Sequence, residues 1–215
     1  MSRGAVTILY EDQRGPRQGF ALHALVKACV FDAINGERRW IEEEALKDYR
    51  PLKGDGNLLR TCREEIDLIA ADGRSVVAVF DDDHVRQLLK LPQNATPNRV
   101  EEEIKKWCVA PDRLFVILLE RNIESVVEAA SACDPTLDRD RVARALRKDL
   151  LERDAIFMEL SRERARPTRE CILSKLPSLK RLVAVVCNRL TAPGSPPPAP
   201  PEAPRKRERR RSAGK

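Results

Sequence analysis

Three acidic groupings each follow an apolar run in this chain of 215 residues: Glu11-Asp12 after AVTILY, Asp81-Asp82-Asp83 after SVVAVF, and Glu120 with Glu124 after RLFVILL. In an open parallel sheet, ligands bind outside the carboxyl ends of the strands, so these groups are expected to converge on one edge. Converging carboxylates repel one another unless a cation neutralises them. Side chains at i and i+2 of an extended segment face the same way, so Asp81 and Asp83 are expected to share a hard, oxygen-seeking ion while Asp82 points elsewhere. With no His or Cys in the set, Mg2+ is the expected ion and Mn2+ the next. Capping of a following helix is the alternative for Asp83, and Glu124 fits the first turn of a helix begun by Asn122, where its charge favours the dipole. Candidate phosphate contacts are Arg14 and Arg17, close behind Glu11, and Lys53 in the KGDG segment; each alone also reads as an ordinary solvated charge. The Gly- and Pro-containing stretch from Gln13 to Gly19 is a candidate flap over the edge.

The elements that must position these groups follow from periodicity. Ala5–Tyr10, Ser75–Phe80 and Arg113–Leu119 are continuous apolar runs, the pattern of strands covered on both faces in a parallel sheet. A fourth strand is expected between Arg39 and Leu52, where WIEEEAL fits either helix or strand. Leu22, Leu25, Val26, Cys29, Val30 and Ala33 recur at helical spacing and stop near Asn35-Gly36. Further helices are expected over Leu58–Ile69, Asn98–Cys108 and Asn122–Ala132. From Asp138 the pattern is wholly helical, with a break near Pro167 and a last helix from Thr168 to Leu190. The fold class is therefore α/β, an open and mainly parallel sheet with helices on both faces plus C-terminal helices. The expected organisation is a core over 1–135, a helical segment over 136–191 packed on it, and a disordered Pro-rich linker with a basic tip over 192–215.

A Glu at the end of the first strand, the glycine-containing PLKGDGN segment and then VVAVFDDD together resemble the Toprim domain of topoisomerases, primases and OLD-family nucleases, especially its small bacterial variants. The likeness covers roughly residues 5–130 and rests on one Glu and one D-x-D. It implies that Glu11 is the acid/base carboxylate and that Asp81 and Asp83 are the metal ligands; from the edge itself Glu11 and, as a weaker candidate, Glu120 are further ligands, and Lys53 is the expected contact to the substrate phosphate. Asp12 stands where many Toprim domains have glycine. The resemblance implies a Mg2+-dependent nuclease in bacterial defence against phage, working with an ATPase on another chain, since no G-x-x-x-x-G-K-[ST] loop occurs here. The alternative is a non-catalytic Toprim-like subunit that docks a partner protein while its basic tail touches nucleic acid.

Composition narrows the field. Hydrophobic residues at 42% and charged residues at 34% exclude a membrane bundle and a wholly disordered chain, and aromatics at 4% oblige an aliphatic core. Of the net charge of +6, residues 192–215 carry +5, from seven basic and two acidic side chains. Attraction to phosphate is thus expected from Arg205, Lys206, Arg207, Arg209, Arg210 and Arg211 more than from the body. The six cysteines include no CxxC pair, and Cys29, Cys62, Cys108 and Cys187 fall in apolar helical patterns as reduced, hydrophobic thiols. The first apolar run is too short for a signal peptide or a membrane span, so the expected location is cytoplasmic. Deleting 192–215 should leave the melting temperature of the body unchanged, while nucleic-acid affinity falls and loses salt dependence. Thermal melts and salt-titrated binding check this, and a large drop in melting temperature would show that the tail is packed.

Overall fold

The computed structural model describes residues 6–12, 20–34, 46, 48–64, 66, 73–108 and 110–191. Four strands, β1 (Val6–Asp12), β2 (Tyr49–Lys53), β3 (Ser75–Asp81) and β4 (Leu114–Leu119), form one sheet in the order β2-β1-β3-β4. All three pairings are parallel, with Ile8 opposite Tyr49, Tyr10 opposite Val79, and Val79 opposite Ile117. The α/β class and the parallel sheet are as the apolar runs require. β1 extends two residues past its apolar run, so Glu11 and Asp12 belong to the strand. The fourth strand is YRPLK; most of WIEEEAL lies outside the described residues. Pro51 cannot donate to a ladder, and β2 accommodates it at the sheet edge, pairing only with β1.

Side chains alternate across the sheet. Val6, Ile8, Tyr10, Val77, Val79, Ile117 and Leu119 face one layer, and Leu9, Val76, Ala78, Phe80, Leu114, Val116 and Leu118 face the other. The second layer comprises α2 (Asp55–Glu64), α3 (Asp82–Leu88) and α4 (Pro97–Lys105), through Leu58, Cys62, Val85, Val100 and Ile104. The first comprises α1 (Ala21–Ile34), α5 (Glu124–Cys133), α6 (Arg139–Leu146), α7 (Leu150–Leu160), α8 (Arg166–Lys175) and α9 (Pro177–Thr191). The C-terminal helices share one continuous apolar cluster with β1, β3, β4 and α1, so they complete the core.

Local chemistry sets the helix ends. Thr96 accepts from the Arg99 amide with Pro97 in the first turn of α4, and Asp138 and Asp149 each accept from two amides at the starts of α6 and α7. One long helix was expected over Thr168–Leu190, but Pro177 lacks the amide hydrogen that would continue it, and α8 ends before it while α9 starts on it.

Two further devices hold the first layer. Arg169, 2% exposed, donates to both oxygens of Asp32 at 2.7 and 3.0 Å and to the carbonyls of Leu160 and Arg162, joining α8 to α1 and to the end of α7. A disulfide links Cys133 at the end of α5 to Cys171 in α8 across 38 residues, a loop whose closure contributes about 4 kcal/mol in the chain-entropy picture. Cys29, Cys62, Cys108 and Cys187 are free thiols as expected, and burial pushes Cys29 and Cys62 up to about 12, which makes them inert. Among the described residues, no helix is long and apolar enough to cross a membrane.

His23 is buried on α1. Its Nε2–H donates to the Leu46 carbonyl at 2.7 Å, leaving Nδ1 to accept from the Tyr10 hydroxyl at 3.1 Å, and its ring stacks on Tyr49 with centroids 4.2 Å apart. Burial, assisted by the charge of Lys27, lowers its pKa to about 4. The folded value lies below the ordinary one, so between about pH 6.5 and 4 the unfolded chain binds the extra proton. Stability is then complete above pH 6.5 and falls by about 3 kcal/mol as pH drops through that window. Denaturant titrations across these pH values should give this slope in the wild type and a flatter one in His23→Phe. Equal slopes would show that His23 titrates normally.

Candidate functional site

The chain runs from β1 outward to β2, then returns past β1 to β3 and β4, so its direction across the sheet reverses between β1 and β3. At such a point the connections leave on opposite sides and open a crevice at the carboxyl ends of the strands. Here the crevice encloses about 170 Å³, and its walls include Glu11, Asp12, Asp81, His84, Glu124, Lys148 and Arg153. Gly54 forms its floor at the turn from β2 into α2. There a φ of +80° suits glycine, and its amide donates to the Asp12 carbonyl at 3.1 Å.

Glu11 and Asp81 meet across the reversal. The Asp81 amide donates to Glu11 Oε2 at 3.0 Å, fixing the half-buried glutamate against the last residue of β3. Asp81 is also the residue before α3 and remains extended at φ −74° and ψ 134°. The strand stops there, so the extended backbone on which the expected pairing of Asp81 and Asp83 rested ends at Asp81: Asp82 and Asp83 are the first two residues of α3. The turn is stabilised locally, since Asp82 pairs with Arg86 one helical turn on and the Asp82 amide bonds the Arg121 carbonyl at 2.9 Å. The Asp83 side chain lies outside what is described.

Glu120 is not part of this edge. Its Oε1 accepts from the Ser178 amide at 2.8 Å and its Oε2 from the Ser178 hydroxyl, so it serves the first turn of α9 and lines a separate cleft with Pro97 and Arg181. Lys53 is the last residue of β2 and exposed; Gly54, rather than Lys53, reaches the crevice. Arg14, Arg17, Arg205, Lys206, Arg207, Arg209, Arg210 and Arg211 lie outside the described residues, as does the Gln13–Gly19 stretch.

The cations that line the crevice come from the helical segment instead. Arg153 of α7, 1% exposed, reaches Asp12 Oδ2 with Nη2 and Glu124 Oε1 at 2.9 Å with Nη1. Glu124 therefore does more than favour a helix dipole. Lys148, in the α6–α7 connection at φ +68°, stands at the crevice wall and is exposed. Neither residue was singled out from the sequence, although Arg153 carries a readable signal. It occupies the apolar stripe of α7 with Ile156, Phe157 and Leu160, at i, i+3, i+4 and i+7, where a charge requires a buried partner.

Among the described residues, no group of three or more His, Cys, Asp or Glu side chains stands so as to hold a metal ion. The described edge thus offers two carboxylates, Glu11 and Asp81, beside two that are engaged by a guanidinium. No family model, curated protein or solved structure matches the chain.

Removing one member of a buried ion pair leaves an uncompensated charge, which costs about 3–5 kcal/mol. Arg153→Met should lose stability on that scale in equilibrium denaturation, and adding Asp12→Asn and Glu124→Gln should restore part of it. A loss below about 1 kcal/mol would match an exposed pair instead and would contradict the burial of this network.

Proposed function

We propose that the crevice between β1 and β3 is the active site of a divalent-cation-dependent phosphoryl-transfer enzyme, a Toprim-like nuclease of bacterial antiphage defence that acts with a partner ATPase. The observation that carries this reading is the contact between the Asp81 amide and Glu11 Oε2, which sets the Glu11 carboxylate against the last residue of β3 at the parallel sheet's carboxyl edge, in a crevice that Asp81 also lines. Their donors are hard oxygens, suited to Mg2+ or Mn2+. Two carboxylates are too few for a closed Ca2+ cage, but Mg2+ is commonly held by one or two, with waters and substrate phosphate completing its shell. Glu11 and Asp81 are the proposed ligands.

When bound, the ion would polarise a phosphodiester and stabilise charge on its oxygens. Glu11, held in place by the Asp81 amide, moves a proton to or from water or the leaving oxygen. Lys148 draws a phosphate to the crevice, the part first assigned to Lys53, and the basic tail adds sequence-independent affinity for nucleic acid. Arg153 keeps Asp12 and Glu124 compensated so that they do not repel the substrate.

A non-catalytic Toprim-like subunit is the second reading. It is favoured by the engagement of Asp12 and Glu124, two of the four carboxylates that line the crevice, in a buried pair with Arg153. The two diverge in one assay. With Mg2+ or Mn2+, alone or with the partner ATPase, the protein should cleave DNA or RNA, and chelator should abolish cleavage. Glu11→Gln should lower turnover by about 10²–10⁴ with a smaller effect on metal binding, Asp81→Asn should lose both, and Lys148→Ala should raise KM more than Lys53→Ala. A reconstituted complex that cuts normally with Glu11→Gln and Asp81→Asn together would remove this crevice as the source of activity.

A further inference from the structure

The cysteines, scattered in sequence, stand in three spatial pairs, and one of the three is bonded. Cys29 on α1 lies within electrostatic reach of Cys187 on α9, and the Cys108 thiol donates to the Cys62 carbonyl at 3.7 Å, yet all four are free. Cys133 and Cys171 are joined. Burial separates the two groups chemically: it pushes Cys29 and Cys62 up to about 12 and raises Cys187, which withholds the thiolate that disulfide exchange requires. Cys133 and Cys171 are only half-buried, so a thiol in solution can reach them.

Neither helix needs the bond in order to dock. α8 is held to α1 and to the end of α7 by Arg169, and Ile172 seats it in the core. α5 is held at its first turn by the Glu124–Arg153 pair and along its length by Val126, Val127 and Ala130, all fully buried. The bond adds a tie at the far end of α5, which for a helix of 10 residues is about 15 Å from the turn that walls the crevice. Apart from that tie, the end of α5 is closed by short-range contacts. The Asp134 amide donates to the Ala130 carbonyl at 2.8 Å, Asp134 Oδ1 accepts from the Thr136 amide and hydroxyl at 2.9 and 2.6 Å, and Leu137 reaches the core.

We propose that Cys133–Cys171 is a reversible redox clasp on α5, opened by a thiol reductant and closed by the corresponding disulfide. The inference stands apart from the chemistry proposed for the crevice. A thiolate of the reductant attacks one sulfur, the S–S bond breaks, and the other cysteine leaves as a thiolate that takes up a proton. A second reductant thiolate attacks the mixed disulfide and frees the first cysteine, which is protonated in turn, while the reductant departs as its own disulfide. Two electrons and two protons pass to the protein, and the oxidised reductant reverses the sequence. The reduced chain keeps its fold, because Arg169 and the core residues still hold both helices, but the last turn of α5 and the connection to α6 loosen. Disulfides in reducing compartments are for the most part transient or redox-sensing, which suits the cytoplasmic location expected from the sequence.

The test equilibrates the full chain in buffers of reduced and oxidised glutathione, with iodoacetamide labelling and hydrogen exchange both read by mass spectrometry. Cys133 and Cys171 should become labelled together as the buffer turns reducing and should rejoin when it turns oxidising, with labelling of the other four thiols the same in both buffers. Amides of residues 132–138 should exchange faster in the reduced form by about tenfold or more, with β1 and β3 unchanged. Cys133→Ser combined with Cys171→Ser should show the fast exchange in either buffer. A bond that resists reduction until the chain unfolds, a bond that fails to re-form, equal exchange at 132–138 in the two states, or a reduced chain or double variant that does not fold would each overturn the clasp and mark the disulfide as a fixed staple or as unformed.

Discussion

The buried guanidinium of Arg153 is the contact on which the carboxyl edge of the sheet depends. It joins the end of β1, the first turn of α5 and the body of α7, three pieces of chain that are 141 and 29 residues from it or contain it. Without it, Asp12 and Glu124 would stand close together in a region almost closed to water, and their repulsion would oppose the packing of α5 and α7 against the sheet. Burying an ion pair does not in itself guarantee stability, because desolvation offsets much of the attraction. What it does impose is register: only one docking of α7 satisfies both carboxylates. Arg169 does the same for α8, holding both oxygens of Asp32 on α1. The helical layer is thus located by two charged anchors set within an otherwise apolar interface.

That constraint shapes the edge where chemistry is proposed. The strand order brings the ends of β1 and β3 side by side, and the alternation of side chains along β1 sends its two terminal acids to opposite faces. Asp12 is thereby committed to structure. Glu11 is set against Asp81, at the one place where the sheet's connections diverge. A residue pair that looks redundant in sequence is divided between pairing with Arg153 and accepting the Asp81 amide, while both line the crevice. The C-terminal helices, which first read as an appendage completing the core, also supply the cations of the crevice wall.

Much of this was legible in advance for a physical reason: strands covered on both faces must be apolar throughout, so β1, β3 and β4 stood out as runs, and acids at their ends stood out against them. β2 was harder to read because an edge strand with Tyr, Arg and Pro buries little and lacks either periodicity. The D-D-D run was read as extended because local sequence gives no measure of where a strand ends; the Asp82–Arg86 pair and the helical turn that follows decide it. Glu120 was a weaker candidate among the acids, and what removes it from the edge is α9, folded back from 58 residues away to present Ser178 to it. Arg153 was hidden by its neighbours, since LLERDAIFMEL resembles a solvated helix face. Its place on the stripe of Ile156, Phe157 and Leu160 was the available clue, and its partner 141 residues away was beyond any local reading.

The most direct test of the account is a crystal structure of the full chain grown with Mn2+, with an anomalous difference map identifying the ion. The account predicts a peak beside Glu11 and Asp81, with the Arg153 guanidinium still seated between Asp12 and Glu124. A peak between Asp12 and Glu124 with Arg153 displaced, or a fully occupied map with no peak at Glu11 and Asp81, would contradict it.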